Sequence, residues 1–100
     1  MTPMHNPPHP GEFIWDTYLE PYDVSVRSFA VSLGVAASTV TRLVNGQSGV
    51  SPEMALRLSK AVGRSPESWL ARQHAYDLWS ARKSIDLSKV EQIQFGAGAA

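Results

Sequence analysis

The tripeptide Ser-Pro-Glu occurs twice, at 51–53 and at 65–67. Each copy is a compound helix start: serine as N-cap, proline at the first helical position, and an acid where the helix dipole favours one. With Gly63 between them, the pair leaves room for one short helix and fixes where the next begins. Similar punctuation runs through the rest of the chain. His9-Pro10-Gly11-Glu12 opens a first helix carrying Phe13, Ile14, Tyr18 and Leu19, and Pro21 ends it near Glu20. Ser25 caps a second, in which Val26, Phe29, Ala30 and Leu33 follow the i, i+3, i+4, i+7 stripe of one buried face. Gly34 stops it, and Val35 should dip into the core. A third helix is expected from about Ala37 to Val44, with Val40, Leu43 and Val44 inward, closed by Asn45-Gly46. Met54, Ala55, Leu58, Ala61 and Val62 line the fourth. The fifth and longest is expected from Pro66 to about Lys83, with Trp69, Leu70, Gln73, Tyr76, Asp77 and Leu78 on its buried side.

This reads as an all-α chain with one domain over 9–84, a flexible arm over 1–8 and a short tail over 85–100. A hundred residues suffice for one core, though a thin one. Ser88 and Glu91 offer a capping box for one more helical turn; an extended run is the alternative, and both stay open. There is no cysteine, which excludes disulfides and thiolate metal sites. The proline-rich start lacks the basic and apolar regions of a signal peptide. No apolar run approaches the roughly 20 residues that span a bilayer. A soluble, cytoplasmic protein with no membrane association is expected.

Enzyme chemistry finds little support. No phosphate-binding glycine loop, nucleophile elbow or paired carboxylates can be picked out. His5, His9 and His74 lack helical ligand spacing and carboxylate company, so neither metal nor cofactor is expected. Net charge is zero, but its distribution is uneven. Residues 1–23 carry Glu12, Asp16, Glu20 and Asp23 without a Lys or Arg, whereas residues 24–50 carry Arg27 and Arg42 without an acid. A phosphate surface needs such local relief from negative charge. Arg57, Lys60 and Arg64 are read as a solvated face.

The acid-free window holds two short helices joined by a turn containing Gly34, with small Ala30 where they would cross. That matches the helix-turn-helix description. Once Val40 and Leu43 are turned inward, Ala37, Ser38, Thr41, Arg42 and Asn45 fall on the outer side of the third helix. Short side chains allow close approach, and a few hydrogen-bonding tips can read base edges. Arg27, Thr39, Gln47 and Ser48 are the candidate phosphate contacts. Trp69, Tyr76 and Trp79 are too many aromatics for one helix of a thin monomer. With Gln73 they are the expected contact with a second copy.

The segment "LGVAASTVTRLVNG" resembles the recognition segment of the lambda-repressor/Cro-like (XRE) superfamily. "HPGEFIWDTYLEP", "VSPEMALRLSKAVGRSPESWL" and "QHAYDLW", in that order, are similar to the HigA/VapI group of antitoxins, from His9 to Trp79. The resemblance implies a five-helix lambda-repressor-like fold and a homodimer that represses its own operon on palindromic operator DNA. It also implies a RelE-like ribonuclease toxin, HigB, as protein partner. The chain departs from the pattern at Ala36, where a capping serine is common, and at Val26, where glutamine is. Arg72 replaces an apolar residue, and Trp15 a polar one. Two alternatives stay open: a toxin-binding module without DNA binding, and a stand-alone transcriptional regulator.

Overall fold

The computed structural model describes residues 6–96. Residues 1–5 of the arm expected over 1–8, with His5, and residues 97–100 of the tail lie outside the described residues. Helix α1 (Pro10–Ile14) continues into a π-helical segment, Trp15–Leu19. There follow α2 (Val26–Leu33), α3 (Ala37–Val44), α4 (Pro52–Val62) and α5 (Pro66–Ser84). Among the described residues there is no strand, and no helix is long and apolar enough to cross a membrane.

The serine caps form as their positions require: Ser25, Ser51 and Ser65 accept hydrogen bonds from the backbone N–H groups of Ser28, Met54 and Ser68. The helices enclose one core in which Ile14, Leu19, Val40, Leu43, Leu58 and Trp69 are almost fully buried. Its aromatic side is a cluster in which Phe13 and Tyr18 pack on Trp69, with ring centroids 5.8 and 6.3 Å away.

The first helix departs from expectation. The Glu20 N–H donates to the Trp15 carbonyl at 2.9 Å, five residues back, so the chain winds wider than an α-helix. Residues four apart share a face in a regular α-helix. The wider turn separates Trp15, 41% exposed, from Leu19, which is fully buried.

His9 does more than precede a proline. Its Nδ1 accepts from the Gly11 N–H at 2.9 Å, capping α1, and its ring meets Tyr76 edge-on at 4.9 Å, tying the start of α1 to α5. Pro7 is buried as well, so the packed structure begins inside the expected arm. Burial pushes the His9 imidazole below its ordinary value of 6.5, against the opposing pull of Asp77, the Ser48 backbone and Glu12. The neutral ring is therefore the native form. Between the folded value and 6.5 the unfolded chain binds more protons, so stability rises with pH there. The contribution is complete above the unfolded value and is lost as pH falls through the folded one. We expect the melting temperature to drop on acidification from about pH 7.5 to about pH 5.5. It should drop less in His9→Asn, which keeps a capping acceptor but cannot titrate. Parallel thermal melts of the two chains check this; equal slopes would remove His9 as the cause.

Several residues expected inward lie elsewhere. Ala61 is exposed because Val62, one position on, takes the inward place on α4. Asp77 and Leu78 are exposed because, beyond Gln73, only the side of α5 that carries Tyr76 and Trp79 still faces the domain. The largest correction concerns the expected contact with a second copy. Trp69 is 0% exposed within the single chain and its indole N–H donates to the Gly63 carbonyl at 3.2 Å. Gln73 is buried too: its Oε1 accepts from the Val50 N–H at 2.7 Å, and its Nε2 donates to Asp77 Oδ1 at 2.9 Å. Both side chains belong to the core of the single chain, Trp69 wholly and Gln73 nearly so, and their polar atoms are already paired within it. After Ser84 the backbone leaves the helix. The Ser88 N–H donates to Asp86 Oδ1 in an exposed turn, and among the described residues no helix follows α5.

Candidate nucleic-acid interface

The candidate site is built by the corner between α2 and α3. Gly34, at φ 74°, takes the left-handed conformation that ends α2, a position glycine fills without a Cβ penalty. The Val35 N–H returns to the Ala30 carbonyl at 3.0 Å and the Gly34 N–H to the Val31 carbonyl at 3.1 Å, the paired bonds of a Schellman ending. Ala30 is buried, and its small side chain lets α3 cross closely.

Arg57 locks this corner from behind. Its Nη1 donates to the Leu33 and Gly34 carbonyls at 2.9 and 3.2 Å, while Nε and Nη2 both reach Glu53 Oε2. A residue read from sequence as part of a solvated face is thus the C-terminal clamp of α2. Its signal was the i, i+4 spacing from Glu53; the carbonyls it reaches lie more than twenty positions upstream.

Helix α3 presents two sides. Val40 and Leu43 are buried, with Val44 half-buried beside them. Ala37, Ser38, Thr41, Arg42 and Asn45 are all exposed on the outer side. The Thr41 hydroxyl donates to the Ala37 carbonyl at 3.1 Å, which leaves its oxygen lone pairs and methyl group for an outside partner. Ala36 occupies the N-cap position with no side-chain bond. At the other end the Gln47 N–H donates to the Arg42 carbonyl at 2.8 Å, and Gly46, at φ 75°, turns the chain away from the ridge.

The candidate phosphate contacts separate. Arg27, beside the α2 N-terminus, and Gln47 are exposed, whereas Thr39 and Ser48 are half-buried. Of the residues expected at a second copy, Tyr76 and Trp79 remain half-buried, with Lys83 Nζ 4.3 Å above the Trp79 ring. They join Pro7, His9 and Trp15 around a surface hollow of about 520 Å³ next to Asn45. On another side, Arg64 and Arg72 both lie over the Phe13 ring, at 4.9 and 3.6 Å, and Arg64 Nε donates to the Tyr18 hydroxyl. Burial and the neighbouring Arg64 charge push the Arg72 guanidinium below its ordinary value.

A glycine-stopped helix, a tight corner and a second helix with one buried and one open polar side define the helix-turn-helix class of DNA-binding proteins. The sequence model of the helix-turn-helix family matches residues 17–69. An uncharacterized HTH-type transcriptional regulator of Escherichia coli K12, YddM, is 40% identical over 90 residues, covering 90% of this chain and 95% of its own. Antitoxin HigA-1 of Vibrio cholerae is 40% identical over 72 residues, or 72% and 68% of the two chains. Antitoxin GraA in complex with its operator superposes with a TM-score of 0.82 at 34% identity, over 95% of this chain and 98% of GraA. The chain belongs to the helix-turn-helix family, in its XRE-type branch of HigA/VapI antitoxins and regulators.

Proposed function

We propose that this protein is an antitoxin that represses its own operon as a homodimer and neutralises a RelE-like HigB ribonuclease toxin in the cytoplasm. The observation that carries the DNA-reading part is the two-sided α3: five outer residues open, Val40 and Leu43 sealed. In this reading α3 enters the major groove. Ser38, Thr41, Arg42 and Asn45 reach base edges, and Ala37 permits close approach. Arg27, Thr39, Gln47 and Ser48 hold phosphates on either side, and the dimer sets its two α3 helices about 34 Å apart, one turn of B-DNA. GraA's complex with its operator supports the DNA partner, and the likeness to HigA-1 supports the toxin.

The test is a gel shift with the protein's own upstream DNA. Binding should weaken steeply with salt, as counterion release requires. Arg42→Ala should cost about 1–3 kcal/mol of operator affinity, with the melting temperature unchanged because the side chain is exposed. Unaltered affinity in that variant would place the reading face elsewhere. Co-expression with the neighbouring gene and pull-down tests the toxin. The likeness to YddM favours a second reading, a regulator without a toxin, which holds if no small RelE-like frame lies beside the gene.

A further inference from the structure

Arg64 and Arg72 form a cluster of like charge that packing of the domain does not account for. Both guanidinium groups lie over one ring, that of Phe13, with their central carbons 4.9 and 3.6 Å from its centroid. The two carbons are therefore no more than about 8.5 Å apart. Among the described residues the one ion pair is Arg57 with Glu53, so neither Arg64 nor Arg72 is matched by a carboxylate there. Arg64 Nε donates to the Tyr18 hydroxyl at 2.7 Å, and Arg72 makes no hydrogen bond among the described residues. No side-chain nitrogen shut off from solvent lacks a partner among them, so the free Arg72 donors are open to solvent. Burial and the Arg64 charge both weigh against the Arg72 cation.

The chain keeps this arrangement against two local preferences. Arg64 has φ 66°, in the left-handed region where glycine or asparagine costs less. Its carbonyl is held there by the Ser59 hydroxyl at 2.7 Å and its side chain by Tyr18. Arg72 stands where the antitoxin pattern has an apolar residue, and an apolar side chain over Phe13 would escape the repulsion. Backbone outliers that their surroundings hold in place cluster at functional sites.

We infer that Arg64 and Arg72 clamp the terminal phosphate group of a small molecule. Two fixed cations suit a phosphate monoester, which is close to a dianion at neutral pH, better than a carboxylate with its single charge. Guanidinium forks bind phosphate oxygens in pairs. Bonds of about 2.8 Å put the phosphorus roughly 4 Å from each guanidinium carbon, so one phosphate bridges a pair with this spacing. Stacking on Phe13 and the bond to Tyr18 fix the forks before the ligand arrives, which lowers the cost of ordering them. The surroundings select a single phosphate over a nucleic-acid backbone. The segments that supply Phe13 and Tyr18 also carry Glu12, Asp16 and Glu20, and Glu67 lies on α5 between the two arginines in sequence, all four exposed. A run of phosphates would meet those carboxylates. No residue of α2 or α3 takes part, so the site stands apart from the proposed reading face and does not depend on the antitoxin reading.

Inorganic phosphate is the probe, titrated into the full chain at constant ionic strength with chloride as reference. The Nε–H resonances of Arg64 and Arg72 and the ring protons of Phe13 should shift and saturate with a dissociation constant on the order of 1 mM. Acetate should bind at least about ten-fold more weakly. Phosphate also stabilises proteins by exclusion from their surfaces, so melts are compared between variants. At ten times its dissociation constant it should raise the melting temperature of the native chain by roughly 6–11 °C more than that of Arg72→Met or Arg64→Asn. Methionine keeps an apolar cover on Phe13 and asparagine tolerates the left-handed backbone, so both variants should fold. Equal shifts in phosphate and chloride, or a response that Arg72→Met leaves intact, overturn the site. Acetate binding as tight as phosphate overturns the ligand class and makes the clamp one for an acidic side chain. A loss of affinity for the upstream DNA in Arg72→Met assigns the phosphate to DNA and overturns the small molecule.

Discussion

Gly11→Ala is expected to cost this domain more than any surface change, at least about 3 kcal/mol, above the usual range for an overpacked core. A Cβ on Gly11 would overlap the Leu43 carbonyl and would stand 2.9 Å from Val44 Cα. These are backbone atoms of the last turn of α3, so no side-chain rotation relieves the overlap. The backbone of α1 rests directly on the end of the helix that carries Arg42 and Asn45. Accommodating a methyl group means lifting one helix off the other and opening the core around Ile14 and Leu43, both almost fully buried. For a chain this size the melting temperature should fall by roughly 12–24 °C. Gly96→Ala is the control, since nothing lies within 4 Å of a Cβ there. Thermal melts of the two variants decide the matter. A loss under about 1 kcal/mol for Gly11→Ala would mean that α1 does not brace α3 as described.

The sequence carries the helices because their boundaries are local chemistry. Serine caps, proline starts and glycine stops act within a few residues, and the outer side of α3 follows once Val40 and Leu43 are assigned inward. What sequence reading missed acts across the chain. Gly11 looks like part of a helix start and gives no sign that Leu43 lies against it. Arg57 clamps carbonyls at Leu33 and Gly34, and Gln73 satisfies Val50 from α5. Those contacts depend on where helices cross, which periodicity does not specify. The π-helical turn at Trp15–Leu19 escapes for a related reason: the residues suit an ordinary α-helix, and the wider winding is set by packing. The misplaced contact with a second copy comes from counting the aromatics of α5 as one set. Trp69 caps the core beside Phe13 and Tyr18, whereas Tyr76 and Trp79 lie further along α5 toward the domain's edge.

That distinction makes Trp69→Ala a decisive experiment. Were Trp69 at an interface between copies, truncating it would give a folded monomer of undiminished intrinsic stability. Fully buried in one chain, it should instead cost about 3–5 kcal/mol on truncation, a large part of the 5–15 kcal/mol that holds a typical domain together. The loss has three sources. The cavity left by an indole closes poorly, because Phe13 is held under Arg64 and Arg72 and Tyr18 by its hydrogen bond from Arg64. The aromatic contacts at 5.8 and 6.3 Å disappear. The Gly63 carbonyl, at the turn between α4 and α5, loses its donor. Trp79→Ala, on the same helix but half-exposed, should cost less than half as much. Urea unfolding followed by circular dichroism, repeated over a wide span of protein concentration, separates the two cases. The Trp69→Ala midpoint should be low at every concentration. A midpoint that recovers the native value once association is accounted for would return Trp69 to the interface and remove it from the core.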